Sequence, residues 1–274
     1  MPSTTDSGEH LLETIANGVA TLTMNRPEAR NAFSPEMSAG LEKAIPRLAR
    51  NPDVRAVVLT GAGGAFCAGG DVKGFARAPR AGRGNERTGF EHRVAGLRNG
   101  TEMVRWLHEM PKPTLAAIPG PAAGGGLSLA LACDIRIASA SAKFTTAFAK
   151  IGLAGDYGGS YFLPRLVGAA KARELYFTAD LLDAEQAERL GLVNHVYPDV
   201  DFPAAVEAWK TRLAELPTIA LGYMKKNLNA ADHGSLGHVL DLEAQHMTRT
   251  FDTEDHRGAA RAFVEKQKPE FRGR

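Results

Sequence analysis

Two glycine-rich turns hold the residues best placed to do chemistry in this chain, Phe66-Cys67-Ala68-Gly69-Gly70-Asp71 and Gly120-Pro121-Ala122-Ala123-Gly124-Gly125-Gly126. Each follows a short apolar run that reads as a buried strand, residues 54–60 for the first and 115–118 for the second. The second turn opens onto residues 127–133, which read as a buried helix. Gly125 therefore stands at a helix start, where unpartnered N–H groups and the positive end of the macrodipole favour a negative oxygen. Glycine lets a ligand approach the backbone without meeting a Cβ. Two such turns can aim two backbone N–H groups at one substrate oxygen, the chemistry of oxyanion stabilisation. Close strand–helix packing also calls for glycine, so either turn alone is weak evidence and only the pair points to chemistry.

A carboxylate lies further on, in Ile151-Gly152-Leu153-Ala154-Gly155-Asp156-Tyr157-Gly158-Gly159. Asp156 reads locally as a turn residue or as the N-cap of a helix beginning at Gly158. Set among Leu153, Tyr157 and Phe148, its charged form would be disfavoured and its basicity raised.

The elements that must position these groups follow from the surrounding pattern. Residues 11–15 and 19–24 read as strands joined by Asn17-Gly18, a hairpin dipeptide suited to two positive φ values. Ser34 reads as the N-cap of a helix with Pro35 in first position and Met37, Leu41, Ile45 and Leu48 at helical spacing; Pro46 is expected to bend or shorten it. Residues 134–138 form another apolar strand candidate, Asp183 with Gln186 resembles a capping box, and 193–197 return as a short strand. From about Phe202 onward the pattern is helical. Residues 74–100 hold Arg77, Arg80, Arg83, Arg87, Arg93 and Arg98 among Gly, Ala, Pro and Asn, and read as a loop at least in their first half. Such a loop is a solvated connection or a lid with arginines available to a polyanion.

With 274 residues and 44% hydrophobic content, the chain can bury a large core. Lys+Arg 33 against Asp+Glu 31 leaves no electrostatic footprint for nucleic acid, and none is expected as a partner. Cys67 and Cys133 lack metal-ligand spacing and imply no disulfide framework. The first ten residues are polar and no run reaches the ~18 apolar residues of a membrane span, so a cytoplasmic protein without a membrane partner is expected.

On Met24-Asn25-Arg26-Pro27-Glu28-Ala29-Arg30-Asn31-Ala32, both glycine turns, Gly158-Gly159-Ser160 with Leu163-Pro164-Arg165-Leu166-Val167-Gly168, Gly191-Leu192-Val193, and Phe263-Val264-Glu265-Lys266, the chain resembles the crotonase superfamily, the enoyl-CoA hydratase/isomerase family, over nearly its whole length. The resemblance implies an α/β fold: a superhelical core of repeated ββα units over residues 1–200, and a C-terminal helical region, 201–274, that assembles trimers, often paired into hexamers. It implies an acyl-CoA thioester as substrate, no metal and no separate cofactor, coenzyme A being part of the substrate. The oxyanion donors carried over are the N–H groups of Gly70 and Gly125. Arg30 and Lys73 match phosphate-contacting cations, Ala68 matches the backbone that meets the adenine, and Phe263 and Lys266 match residues that reach the nucleotide of a neighbouring subunit. Taken singly, each of these basic residues also reads as a solvated surface charge.

The two glutamates of the family's hydratases fall on Ser128 and Phe148, neither of which can deprotonate water as a carboxylate pair would. Phe148 is instead expected to contact substrate. Members with aspartate at the position of Asp156 include ring-forming and double-bond isomerases, and the same aspartate is the nucleophile of the family's aryl-CoA dehalogenases. The dehalogenase histidine falls on Thr101, which lowers that reading. His92 and His108 read as surface or helix-face residues, and Glu102 and Glu109 as solvated helical charges. Three readings follow: an enoyl-CoA isomerase with Asp156 as acid/base, a hydratase or thioester hydrolase that places water by another group, and an acyl-CoA-binding protein without turnover.

Overall fold

The computed structural model describes residues 3–6, 10–77 and 89–274, without the side chains of 3–6, 73, 75 and 77. Strand β1 (Ser3–Asp6) pairs antiparallel with β2 (Leu11–Ala16), and β2 with β3 (Val19–Met24), around a turn whose Asn17 and Gly18 both take positive φ, 50° and 76°. From β3 onward the sheet is parallel, through β4 (Ala56–Gly61), β5 (Thr114–Ile118), β7 (Ile135–Ser139) and β10 (His195–Tyr197). The three strands β6 (Ala122–Ala123), β8 (Lys143–Thr145) and β9 (Leu182–Asp183) make a second, small sheet.

Parallel strands covered on both faces must be apolar at successive positions rather than at alternate ones, and β5 is buried at all five. Its odd and even residues serve two cores. Leu22, Val57, Leu59, Ala116 and Ile118 face the larger one; Val58, Leu115, Ala117 and Ile137 face a smaller one closed by Phe202 and Leu213 of a C-terminal helix. Helix α1 (Pro35–Arg50) covers the larger core with Met37, Leu41, Ile45 and Leu48, and Ser34 Oγ accepts from the Met37 N–H at 3.1 Å as its cap. Pro46 does not shorten it; the helix runs four residues further, losing one interior donor.

After β4 come α2 (Val72–Arg77), α3 (Phe90–Gly100) and α4 (Glu102–Glu109), so part of the expected 74–100 loop is helical. Its arginine-bearing stretch 78–88, Arg80, Arg83 and Arg87 included, lies outside the described residues. Helix α5 (Gly125–Leu131) follows β6, then α6 (Gly159–Val167), α7 (Ala169–Thr178) and α8 (Ala184–Arg189), the last opened by the Asp183/Gln186 capping box. Four helices end the chain: α9 (Phe202–Ala214), α10 (Thr218–Ala231), α11 (Leu236–Phe251) and α12 (Glu254–Val264). Helix α10 is pinned to the sheet by buried Lys225, whose Nζ donates to Leu107 O and to Asp134 Oδ2, both at 2.8 Å. Asp134 also accepts from the Thr114 N–H at the start of β5. Among the described residues, no helix is long and apolar enough to cross a membrane.

Candidate active site

The two glycine turns meet beyond the ends of β4 and β5. Phe66 N–H donates to Pro121 O at 3.0 Å, Ala123 N–H donates to Cys67 O at 2.9 Å, and Cys67 and Ala122 form a parallel bridge. Such an approach leaves no room for side chains on the facing residues. Gly69 has φ +81°, and a Cβ on it would stand 2.7 Å from Ala123 O and 3.1 Å from the Gly125 nitrogen. A Cβ on Gly126 would lie 2.6 Å from the Cys67 Cβ. The next residue on each chain, Gly70 and Gly125, is left with an N–H that has no backbone acceptor among the described residues, Gly125 because it is the first residue of α5. Burial pushes the Cys67 thiol up to about 12, so the cysteine between the turns is a packing residue rather than a nucleophile.

Gly70 and Gly125 open onto a cavity of about 750 Å³, and Asp156, Phe148, Ala68 and Leu97 share its wall. Asp156 sits between Gly155 and Tyr157, both at positive φ. Its Oδ1 is buried without a hydrogen-bond partner among the described residues and lies 3.1 Å from where a Cβ on Gly125 would stand. Burial raises its pKa, no cation or donor among the described residues opposing that shift. The result is a carboxylate held toward the neutral form beside two unpartnered N–H groups. A carboxylate and two N–H groups of the kind that can stabilise an oxyanion thus share one cavity.

The positions of the two expected hydratase glutamates carry no charge. Ser128 is 2% exposed and its hydroxyl donates back to Gly124 O at 3.3 Å within α5. Phe148 opens a short 3-10 helix, Phe148–Ile151, and lies parallel to Tyr176, ring centroids 6.1 Å apart. The Tyr176 hydroxyl, raised in pKa by burial, is within hydrogen-bonding reach of Ser160 and Ser128. Hydroxyl and phenyl groups fill this side; the cavity wall carries three carboxylates, Glu36 near His10, Asp71 near Arg26, and Asp156, the one that approaches Gly125.

Of the residues singled out in the sequence, the structure brings Gly70, Gly125, Asp156, Phe148 and Ala68 to one cavity. Arg30 is exposed in the left-handed region at φ 49°; its carbonyl accepts from the Ala68 N–H at 2.9 Å, which ties its backbone to the first turn. The side chain of Lys73 lies outside the described residues, although α2, which carries it, begins just after Asp71. Phe263, 85% exposed, and Lys266 stand at the end of α12 and take no part in the cavity wall. His92 is exposed; His108 packs edge-on to Phe162 at 5.2 Å, and burial lowers its pKa. Glu102 and Glu109 both pair with Arg105 on the α4 surface, and Thr101 Oγ1 donates to Arg98 O. Leu153 and Tyr157 stand on the wall with Asp156, as the sequence reading had them; it missed Phe33 and Leu97 as parts of the wall and Tyr176 behind it. Phe33 follows directly on the Asn31-Ala32 stretch of the first motif, which is a usable signal; Leu97 stands at helical spacing from Phe90 and Val94, and Tyr176 carries none.

Comparison with known proteins gives a consistent set of likenesses. Residues 14–274 match the family described as enoyl-CoA hydratase/isomerase. The chain is 38% identical to the 1,2-epoxyphenylacetyl-CoA isomerase of Escherichia coli (strain K12), over 97% of this chain and 99% of that protein. It is 34% identical to the short-chain-enoyl-CoA hydratase of Clostridium acetobutylicum, over 92% of this chain and 93% of the relative. Among solved structures, an enoyl-CoA hydratase from Polaromonas sp. JS666 superposes with a TM-score of 0.86 at 32% identity, covering 96% of this chain and 99% of that one.

Proposed function

We propose, from the premise that the chain belongs to the enoyl-CoA hydratase/isomerase family of the crotonase superfamily, that it is an isomerase that moves the double bond of an unsaturated acyl-CoA thioester. Relatives at similar identity are named isomerase and hydratase alike, so the likeness alone does not choose between the two reactions. The observation that carries the choice is the placement of Asp156 beside Gly125, with Ser128 and Phe148 where the hydratase carboxylates are expected.

In this reading the thioester carbonyl accepts from the N–H groups of Gly70 and Gly125. The Asp156 carboxylate takes a proton from Cα of a 3-enoyl thioester, and the electron pair moves onto the carbonyl oxygen as a dienolate. Asp156, now neutral, exchanges that proton with solvent and delivers a proton at C4, leaving the double bond between Cα and Cβ with no change in mass in ordinary water. The raised pKa suits both steps, since a base closer to the pKa of its task abstracts more readily and releases the proton again. Each oxyanion donor contributes on the order of 10²–10³-fold to such a step. Isomerisation needs a single proton shuttle; hydration needs water held and deprotonated, and the positions of the hydratase carboxylates are taken by Ser128 and Phe148, while Glu36 and Asp71 on the wall lie beside His10 and Arg26.

Arg30, Ala68, Lys73, Phe263 and Lys266 are assigned to the coenzyme A end of the same substrate, the last two from a neighbouring copy. A trimer or hexamer is part of the proposal. Its support is α11, which has no buried residue yet presents Leu236, Leu240, Met247 and Phe251 at spacings of about one or two turns, 74, 53, 60 and 51% exposed.

The test is to incubate the protein with 3-hexenoyl-CoA and, separately, 2-hexenoyl-CoA, and to separate the products by chromatography with mass detection. Interconversion of the two at unchanged mass is expected. A gain of one water from the 2-ene, or release of free coenzyme A, contradicts the reading.

A further inference from the structure

Tyr157 is in an unusual state for a large side chain. Its φ is +50°, in the left-handed region that bulky residues rarely enter, and it lies between Asp156 and Gly158, itself at +74°. Strain of this kind persists only where neighbouring contacts hold it, and it gathers at functional sites. Three contacts hold Tyr157. Its ring stacks on Phe33, centroids 5.0 Å apart and planes 23° from parallel. Its hydroxyl is within hydrogen-bonding reach of Ser38 on α1. Its Cδ2 lies 3.0 Å from where a Cβ on Gly125 would stand, the same point approached by Asp156 Oδ1 at 3.1 Å and Phe33 Cε2 at 3.2 Å.

Phe33 is in turn fixed to the other oxyanion turn. Its N–H donates to Gly69 O at 2.8 Å, and Phe33 and Gly70 form a parallel bridge. The stack therefore links the backbone beside the base to both proposed oxyanion donors. Resting on the isomerase reading, we infer that Tyr157 is a positioning residue: clamped by Phe33 and Ser38, it sets the Asp156 carboxylate at a fixed distance from the Gly70 and Gly125 N–H groups. A merely space-filling Tyr157 would have no need of a strained backbone, since a residue with ordinary φ can carry the same ring to a cavity wall.

Three variants test this with one assay. Tyr157→Gly accepts the positive φ and removes the clamp; Tyr157→Phe keeps the ring and loses only the Ser38 contact; Asp156→Asn removes the base. For Tyr157→Gly, kcat on 3-hexenoyl-CoA is expected to fall about 10²-fold, the scale of a small misplacement of a reacting group, with a much smaller change in KM. The acid limb of its kcat–pH profile is expected to move down, as water reaches Asp156. Tyr157→Phe is expected to stay within about tenfold of wild type, the most that one neutral hydrogen bond supplies. If Tyr157→Gly does not fold, Tyr157→Asn, which tolerates the same backbone region, replaces it. Loss of turnover in Asp156→Asn combined with wild-type kcat and pH profile in Tyr157→Gly overturns the positioning role alone. Retention of turnover in Asp156→Asn overturns the isomerase reading beneath it.

Discussion

Gly70 and Gly125 bring only backbone to the cavity, whereas Asp156 and Phe148 bring side chains, and the two sides are constrained in different ways. On the oxyanion side, each donor is aimed by strand ends, a helix start and hydrogen bonds between the two turns, so geometry is written into the fold itself. On the proton side, the same fold accepts a hydroxyl or a phenyl group where a carboxylate would serve hydration. In the proposed reading, the fold sets what kind of charge is stabilised, a thioester oxyanion, while a few side chains decide where a proton goes. Relatives named for different reactions at nearly equal identity fit that division.

Breaking the proton side alone should have the largest effect. Asp156→Asn is expected to lower turnover of 3-hexenoyl-CoA by about 10²–10⁴-fold while its affinity for an acyl-CoA stays near wild type, read by steady-state kinetics and calorimetric titration. Breaking the other side should cost both stability and rate. Gly69→Ala places a Cβ at φ +81° and 2.7 Å from Ala123 O, so the turns must separate. A loss of roughly 1–3 kcal/mol in chemical denaturation is expected, with turnover down on the order of 10²-fold.

Two smaller effects sharpen the contrast. The activity of the wild-type protein should fall toward acid with a midpoint above the ordinary aspartate value of about 3.9, because a base whose charged form is desolvated protonates early. Phe148→Glu, which puts a second carboxylate in the same cavity, should move that midpoint higher still, as like charges disfavour double ionisation. The last effect is on stability. Because Asp156 holds its proton more tightly folded than unfolded, the wild-type protein loses stability as pH rises from the ordinary aspartate range through the raised pKa, and the penalty stays above it. Asp156→Asn should therefore raise Tm at pH 8, and the gain should vanish near about pH 3, where the carboxyl is neutral in both states.

What could be read in advance follows the same division. The glycine turns were legible because a need for positive φ or close backbone approach is local and leaves glycine as its mark; Gly69 shows it plainly. The hairpin at Asn17-Gly18, the Ser34 cap and the Asp183/Gln186 box were legible for the same reason. Asp156 was legible only through likeness to a family, since its surroundings also spell a turn. Helix α3 escaped notice because the Gly and Arg residues around it read as a loop and none of its residues is buried, although Phe90, Val94 and Leu97 stand at helical spacing and Leu97 reaches the cavity. Tyr176 and Phe148 stack across 28 positions of sequence with α6 between them, a pairing no spacing rule announces. The Phe33–Tyr157 stack spans more of the chain still.

The central claim is that Asp156 shuttles a proton under the two glycine N–H groups, and isotope uptake tests it most directly. The wild-type protein and Asp156→Asn are each incubated with 3-hexenoyl-CoA in deuterated water, and deuterium at Cα and C4 is followed by mass spectrometry against unreacted substrate. Fast exchange in the wild type, accompanied by conversion to the 2-ene and lost in Asp156→Asn, is the predicted result. Equal exchange in both proteins, or an uptake that tracks water addition instead of double-bond migration, would contradict the account.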